Sequence, residues 1–387
     1  MLTCARVGIL SSCTGVPFET VLRYLPKTIT AQLATTSLQS TRWAARIIDP
    51  RVSNPPLRIV EDELIERIRR RIPSSEGGAL RLGIGHDAAL IHSGNQDWAV
   101  TCDQFLEDVH FLIDKHPPAS VGYKALARAT SDIVAMGARP RFFLLSLALP
   151  VERSGTWLNE LLSGMARASK LLGLRLAGGD TARSPGRGRV ALNLVVLGEV
   201  QHGRKIGRAG ARPGDGIYVT GILGRSQLGL ELLLRGMAKH GKYRKFLFPH
   251  YYPVLPLDFG LWLGRNNLPS AMMDISDGLS TDLARLCRSS GVGARIHADQ
   301  VPTVSVPGSL PQIPALAPLT LALHGGEDYG LLFTVRRRMA PRIPRMFGRT
   351  RISRIGEIVR GSGVSIVGAR GEVSSLAPGG WDHFAKR

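Results

Sequence analysis

VGYKALARATSDIVAM (residues 121–136), followed closely by FFLLSLAL (residues 142–149), sets the fold class of this chain. The first stretch has apolar residues at helical spacing, interrupted by Ser131 and Asp132. The second is an apolar run of strand length. Working outward, short apolar runs at 98–101 and 190–197 and a helical stretch at 157–172 continue the alternation. The Gly- and Pro-bearing segment 208–215 breaks it, and residues 217–220 restart it. This is α/β order in two domains with a junction near residue 210. At 387 residues and 44% apolar content, the chain can build a core in each.

The folded region is predicted to start where Glu61, Asp62 and Glu63 open a helix with Leu64, Ile65, Ile68 and Ile72 on one face. Residues 1–58 read differently. They carry seven Lys/Arg against only Glu19 and Asp49, and they lack sustained periodicity. They are expected to be a disordered extension, or to follow a start site placed too early; an Arg- and Ser-rich, acid-poor leader also resembles a transit peptide. A chain beginning at residue 59 should therefore remain soluble and folded, as size-exclusion chromatography and circular dichroism would report. Loss of soluble protein would show that the extension packs on the domains.

The apolar run at 142–151 is interrupted by Ser146 and Pro150 and falls short of the roughly 18 residues a spanning helix needs. No membrane association is expected. Four scattered cysteines (Cys4, Cys13, Cys102, Cys287) without metal-type spacing suit a reducing cytoplasm. A net charge of +20 fits nucleic acid, an anionic membrane or anionic small substrates. The basic residues are spread along the chain without the interleaved aromatics of a single-strand binder, which argues against nucleic acid.

Aspartate recurs beside glycine and at predicted strand ends: Gly-His-Asp at Asp87, Val-Thr-Cys-Asp at Asp103, Gly-Gly-Asp at Asp180, and Asp-Ile-Ser-Asp-Gly at 274–278. Carboxylates placed at backbone turns suit hard cations, and such cations accompany nucleotide phosphates. A Mg2+-dependent ATP enzyme follows. Strand alternation puts Asp274 and Ser276 on one face, with Asp277 where a helix would begin. Asp277 alone would read as a helix N-cap, but caps do not explain Asp87, Asp103, Asp132 and Asp180 together. Asp132, inside an apolar helical pattern, should face a cation or water, because an unpaired buried carboxylate is costly. Neither a Gly-x-x-x-x-Gly-Lys-Ser/Thr loop nor a His-Arg-Asp kinase loop is present, so carboxylates and metals must do their work.

Seven segments in order, GIGHDAAL, VTCDQFLEDVHF, YKALARATSDIVAMGARPR, AGGDTARSP, MDISDGLSTDL, HGGEDYGLLFTV and GWDHF, resemble the thiamine-monophosphate kinase family. Its superfamily includes aminoimidazole ribonucleotide synthetase, selenophosphate synthetase and a hydrogenase-maturation factor. The resemblance covers residues 60–384. It implies a two-domain synthetase-like α/β (α+β) fold, with a mixed N-terminal sheet at 59–210 that forms a barrel in a homodimer and a C-terminal α/β domain at 211–387. It also implies ATP-dependent phosphorylation of thiamine monophosphate to thiamine diphosphate. On this resemblance Asp87, Thr101, Cys102, Asp103, Asp132, Asp180, Asp274 and Asp277 stand at magnesium positions. Gly179, Asp180, Arg208 and Ser276 stand at nucleotide positions, and His110, Glu327 and Trp381 at substrate positions. No covalent nucleophile or obligatory base is implied.

The sequence departs from the family pattern at His86 (usually aspartate), Cys102 (threonine), Ala129 (asparagine) and Gly330 (glutamate). Cys102 puts a side-chain ligand in doubt, because a neutral thiol is a poor partner for Mg2+. Two other readings are a sister ATP-dependent synthetase and a non-catalytic basic binding protein. Against the first, the chain lacks a C-terminal cysteine tail and a Cys-bearing N-terminal catalytic loop.

Overall fold

The computed structural model describes residues 61–72, 76–184, 188–201, 206–310 and 314–384. The reading of residues 1–58 lies outside them. The acidic start predicted for the first helix is realised in α1 (Glu61–Arg71), which ends on Arg69, Arg70 and Arg71. Its apolar stripe is not buried, however: Ile65, Ile68 and Ile72 are 41%, 44% and 59% exposed. Periodicity shows that a helix has an apolar face, but it does not supply the surface that covers it.

The first sheet holds β1 (Leu80–Leu82), β2 (Ala89–Ser93), β3 (Gln96–Leu106), β4 (Arg139–Leu149), β5 (Arg175–Arg183) and β6 (Ala191–Val200), in the order β1-β2-β3-β6-β4-β5. All neighbours are antiparallel except β4 and β5, which are joined through α3 (Thr156–Leu172). The quoted stretch becomes α2 (Pro118–Ala135) and then β4. α2 starts with proline at its first position, where no amide is needed, and is followed at Gly137 by a left-handed φ of 65°. α2 and α3 cover the inner face of the sheet until their backbones nearly touch. A Cβ on Gly122 would lie 1.9 Å from the Leu161 oxygen, and one on Gly164 would lie 1.8 Å from the Ala119 oxygen.

The second sheet holds β7 (Gly216–Thr220), β8 (Pro269–Ile275), β9 (Gly293–His297), β10 (Gly330–Val335), β11 (Met346–Phe347), β12 (Thr350–Val359), β13 (Val364–Val367) and β14 (Val373–Ser375). The order is β14-β13-β9-β12-β7-β10-β8, with β11 on β12. Helices α4 (Arg225–Leu234), α5 (Arg244–Tyr251), α6 (Leu257–Asn266), α7 (Leu279–Ser290) and α8 (Pro318–His324) are the remaining α-helices among the described residues. The expectation of a mixed α/β fold with two sheets holds. One apolar cluster runs between the halves, joining Ile133 and Val134 of α2 to Met272 of β8 and Leu331 and Phe333 of β10. This shared core brings the functional side chains of α2 and β8 face to face. Among the described residues no helix is long and apolar enough to cross a membrane.

Candidate active site

Strand β3 alternates so that Ala99, Thr101, Asp103 and Phe105 turn toward α2, while Cys102 turns to the other face. Thr101 Oγ1 donates to Asp132 Oδ2 at 2.6 Å. One residue earlier on α2, Ser131 Oγ donates to Asp274 Oδ2 at the end of β8. Asp87, just before β2, completes a group in which one carboxylate oxygen each from Asp87, Asp132 and Asp274 lies within 4.8 Å of the others. Arg208 clamps one side of it, with Nε and Nη2 at 3.2 and 2.9 Å from Asp87 Oδ1. The other oxygen, Asp87 Oδ2, is buried with no hydrogen-bond partner among the described residues. An orphaned buried carboxylate oxygen facing two more carboxylates fits a hard divalent cation.

The electrostatics point the same way. Burial raises the Asp132 carboxyl well above its ordinary value, and Asp274, Asp103 and Asp87 add to that. Burial, and then Asp87, push Asp274 up to about 7. Both shifts record burial first and the neighbouring carboxylates second, and a bound cation would offset both. Asp103 stands apart, held by Arg128 Nε at 2.6 Å.

The Asp-Ile-Ser-Asp-Gly loop is organised from behind. Asp282 Oδ2 accepts the backbone N–H groups of Ser276, Asp277 and Gly278, each at 3.1 Å. Gly278, not Asp277, precedes α7, which agrees with setting aside a helix N-cap role for Asp277. Its carboxylate is taken by Arg285, and its carbonyl accepts the Trp381 N–H at 3.0 Å. The ring of Trp381 meets His383 at 5.6 Å between centroids, and His383 meets His110 at 5.2 Å. Burial, and then the Arg128 cation, push His110 down to about 2. It is therefore neutral. Nδ1 accepts the Leu106 N–H at 2.9 Å, which leaves the proton on Nε2, a buried donor without a partner among the described residues.

Not every predicted residue joins this assembly. The Cys102 thiol faces away, toward Asn193 Oδ1 at 3.3 Å. Gly179 and Asp180 lie on the exposed edge strand β5, where the register sets Asp180 beside Ser146 on the outward face of the sheet. Within one chain they are separate from the carboxylate group.

The sequence matches the family models of the AIR synthase related protein N-terminal domain over residues 85–200 and C-terminal domain over residues 212–368. It is 32% identical over 303 residues to the thiamine-monophosphate kinase of Aquifex aeolicus, covering 78% of this chain and 92% of the relative. The chain belongs to the thiamine-monophosphate kinase family. The family enzyme of Escherichia coli O157:H7 is 38% identical over 71% of this chain and 82% of its own length. A solved structure described as AaThiL complexed with AMPPCP and TMP superposes with a TM-score of 0.71 at 30% identity, covering 84% of this chain and 97% of that one.

Against the thiamine-monophosphate kinase pattern, the departures find local reasons. His86 Nδ1 accepts the Arg208 backbone N–H at 3.2 Å, supporting the arginine that grips Asp87. A Cβ at Gly330 would press to 2.8 Å from the Thr220 oxygen across the β7–β10 pair. Ala129 is fully buried in α2. The sequence reading missed Lys124, Arg128, Asp282 and Arg285. A signal for the first two was present: Lys124, Arg128 and Asp132 recur every four residues, which puts them on one helix face.

Proposed function

We propose that this protein transfers the γ-phosphoryl group of ATP to a phosphate oxygen of thiamine monophosphate, giving thiamine diphosphate by direct in-line displacement. The observation that carries the reading is the orphaned Asp87 Oδ2 facing Asp132 and Asp274, in a chain similar to AaThiL over almost all of that protein's length. Two phosphate-bearing anions repel each other, so catalysis here is mainly charge neutralisation and alignment. Asp87, Asp132 and Asp274 would hold Mg2+, with Asp103, Asp277 and the main chain around Thr101 and Cys102 close by. When bound, the ions would neutralise developing charge on the transferring group. Arg208 is already fixed by His86 and Asp87, and adds a permanent cation. Ser276 lies beside the nucleotide phosphates in this assignment. His110, Glu327 and Trp381 form the acceptor's end. The neutral His110 can donate only from Nε2. No general base is required, because a phosphate monoester is largely ionised near neutral pH.

ADP release measured with and without thiamine monophosphate tests this directly. Release that requires thiamine monophosphate supports the kinase. ATP hydrolysis indifferent to it would favour a sister synthetase, and no ADP under any condition would favour a binding protein.

We further propose a cytoplasmic homodimer, with a leading segment at 1–58 and domains divided at residue 210. The outward face of the first sheet supports the dimer. Trp98, Val195, Leu197, Phe142 and Leu144 line it, and Phe142 and Leu144 are 39% and 37% exposed. Gly179 and Asp180 sit on the same edge, so pairing through this face would put them at a subunit boundary. A Phe142→Glu, Leu144→Glu double variant should halve the sedimenting mass of the wild type, because a buried unpaired carboxylate is costly in an interface. Wild-type mass in the double variant would place the dimer contact elsewhere.

A further inference from the structure

Glu327 and Tyr329 are non-glycine residues with left-handed φ values of 66° and 48°. Such backbone persists only where its surroundings over-determine it. Here Glu327 N–H donates to Ser276 O at 2.7 Å and Tyr329 N–H to Ile275 O at 2.9 Å. Between them, the Asp328 carboxylate accepts the Gly224 and Ser226 N–H groups at 2.5 and 3.0 Å. The loop is tied on both sides, and the Glu327 side chain projects toward α2.

The group that meets it there is Lys124. Its Nζ lies 2.6 Å from Glu327 Oε2, and its side chain is 1% exposed against 23% for Glu327. Behind the lysine stands a buried imidazole pair. His250 Nδ1 is 3.4 Å from both Lys124 Nζ and Glu327 Oε2 and 3.1 Å from Ser226 Oγ, and His250 Nε2 is 3.0 Å from His116 Nε2. Two ring nitrogens at that separation need one donor and one acceptor, so the pair cannot carry two protons across its contact. Burial, and then the Lys124 cation, hold both histidines below their ordinary value. The neighbours of Lys124 are thus neutral, apart from Arg128 one turn along and Glu327 itself. Its charge is directed at Glu327.

Burying a lysine is expensive, and packed apolar residues often replace buried ion pairs at no loss of stability. Stability therefore does not explain Lys124, whereas placement of Glu327 does. A partly exposed carboxylate on its own would sample several rotamers and turn into water. Held through Oε2, it presents its remaining edge in one orientation to a cationic or N–H-bearing heterocycle.

We infer that Lys124 is a positioning residue that fixes the Glu327 carboxylate for the heterocyclic end of the acceptor, with the His250–His116 pair as its buried support. This rests on the thiamine monophosphate reading. Lys124 pairs with Glu327 rather than with Asp87, Asp132 or Asp274, so its removal should act on acceptor binding.

The test is steady-state kinetics on the full-length protein with thiamine monophosphate and ATP varied separately, for Lys124→Met, Lys124→Arg, Glu327→Gln and the Lys124→Met, Glu327→Gln double variant. Lys124→Met should raise KM for thiamine monophosphate on the order of 10- to 100-fold, the range of a charged hydrogen bond. The KM for ATP should stay within about threefold, and so should kcat. Lys124→Arg should recover part of the loss. In the Glu327→Gln background the lysine substitution should add little, because both act through one carboxylate. Should Lys124→Met not yield soluble protein, Lys124→Gln, which keeps a polar stem and removes the charge, takes its place with the same expectation. An unchanged KM for thiamine monophosphate, equal rises in both KM values, or full additivity in the double variant would overturn the inference. A wild-type protein that does not turn over thiamine monophosphate would instead overturn the functional reading beneath it.

Discussion

Asp274→Asn should lower turnover of thiamine monophosphate by at least ~100-fold, because it removes a formal charge from a group that must neutralise two phosphate-bearing reactants. The same substitution should make the metal-free protein more stable at pH 8. A folded carboxyl at about 7, against roughly 4 in the unfolded chain, favours the protonated folded state. Its contribution is fully present below about pH 4 and is lost as pH rises through about 7. Asparagine keeps the acceptor for Ser131 and never ionises. Thermal melts without metal should therefore show wild type falling between pH 5 and pH 8, and the variant falling less. Added Mg2+ should reverse their order at pH 8, since a ligand that binds only the native wild-type cluster stabilises it by mass action. Wild-type rates in the variant, or a metal-free variant that melts no higher than metal-free wild type at pH 8, would remove the carboxylates from the metal-binding role.

Gly164→Val should cost at least ~3 kcal/mol, a large share of a typical folding free energy. A Cβ there meets the Ala119 backbone at 1.8 Å, and backbone cannot rotate out of the way as a side chain can. α3 would have to back off from α2, which carries Lys124, Arg128, Ser131 and Asp132. Melting temperature should fall by roughly 6–10 °C. Activity in the surviving folded protein should fall as well. A melt within 2 °C of wild type, a margin of under about 1 kcal/mol, would show that the helices do not meet through glycine.

Much of this was legible before any coordinates. The switch from helical to strand periodicity across residues 121–149 gives α2 and β4, and aspartates at turns and strand ends, with Asp132 inside an apolar helix, mark the carboxylate group. What was hidden had physical causes. The apolar stripe of α1 looks like a core face, yet Ile72 is 59% exposed, because amphipathicity does not name a partner. Strand pairing was also beyond a pattern of periods. The antiparallel β3–β6 and β6–β4 pairs are set by long-range register, and that register sends Asp180 to the outward face. What organises the loop around Asp277 was not legible, because only the folded helix brings its holder back to the main chain. The residue that holds the three amides is Asp282, which the chain turn returns to them. Lys124 was overlooked because a lysine in a helix is ordinarily solvated, and only burial against Glu327 reveals otherwise.

β5 has a consequence for how this protein survives its own synthesis. Nine residues of strand with one neighbour leave a row of open amides and carbonyls that can capture the edge of another chain. Its composition resists this: Gly178 and Gly179 weaken its preference for extended pairing, and Arg175, Asp180 and Arg183 place charge along it. That protection is weakest when many unassembled copies are crowded together. The strain of an open edge should thus show as yield: expression at high level or elevated temperature should lose protein to aggregates well before the folded fraction loses turnover per molecule.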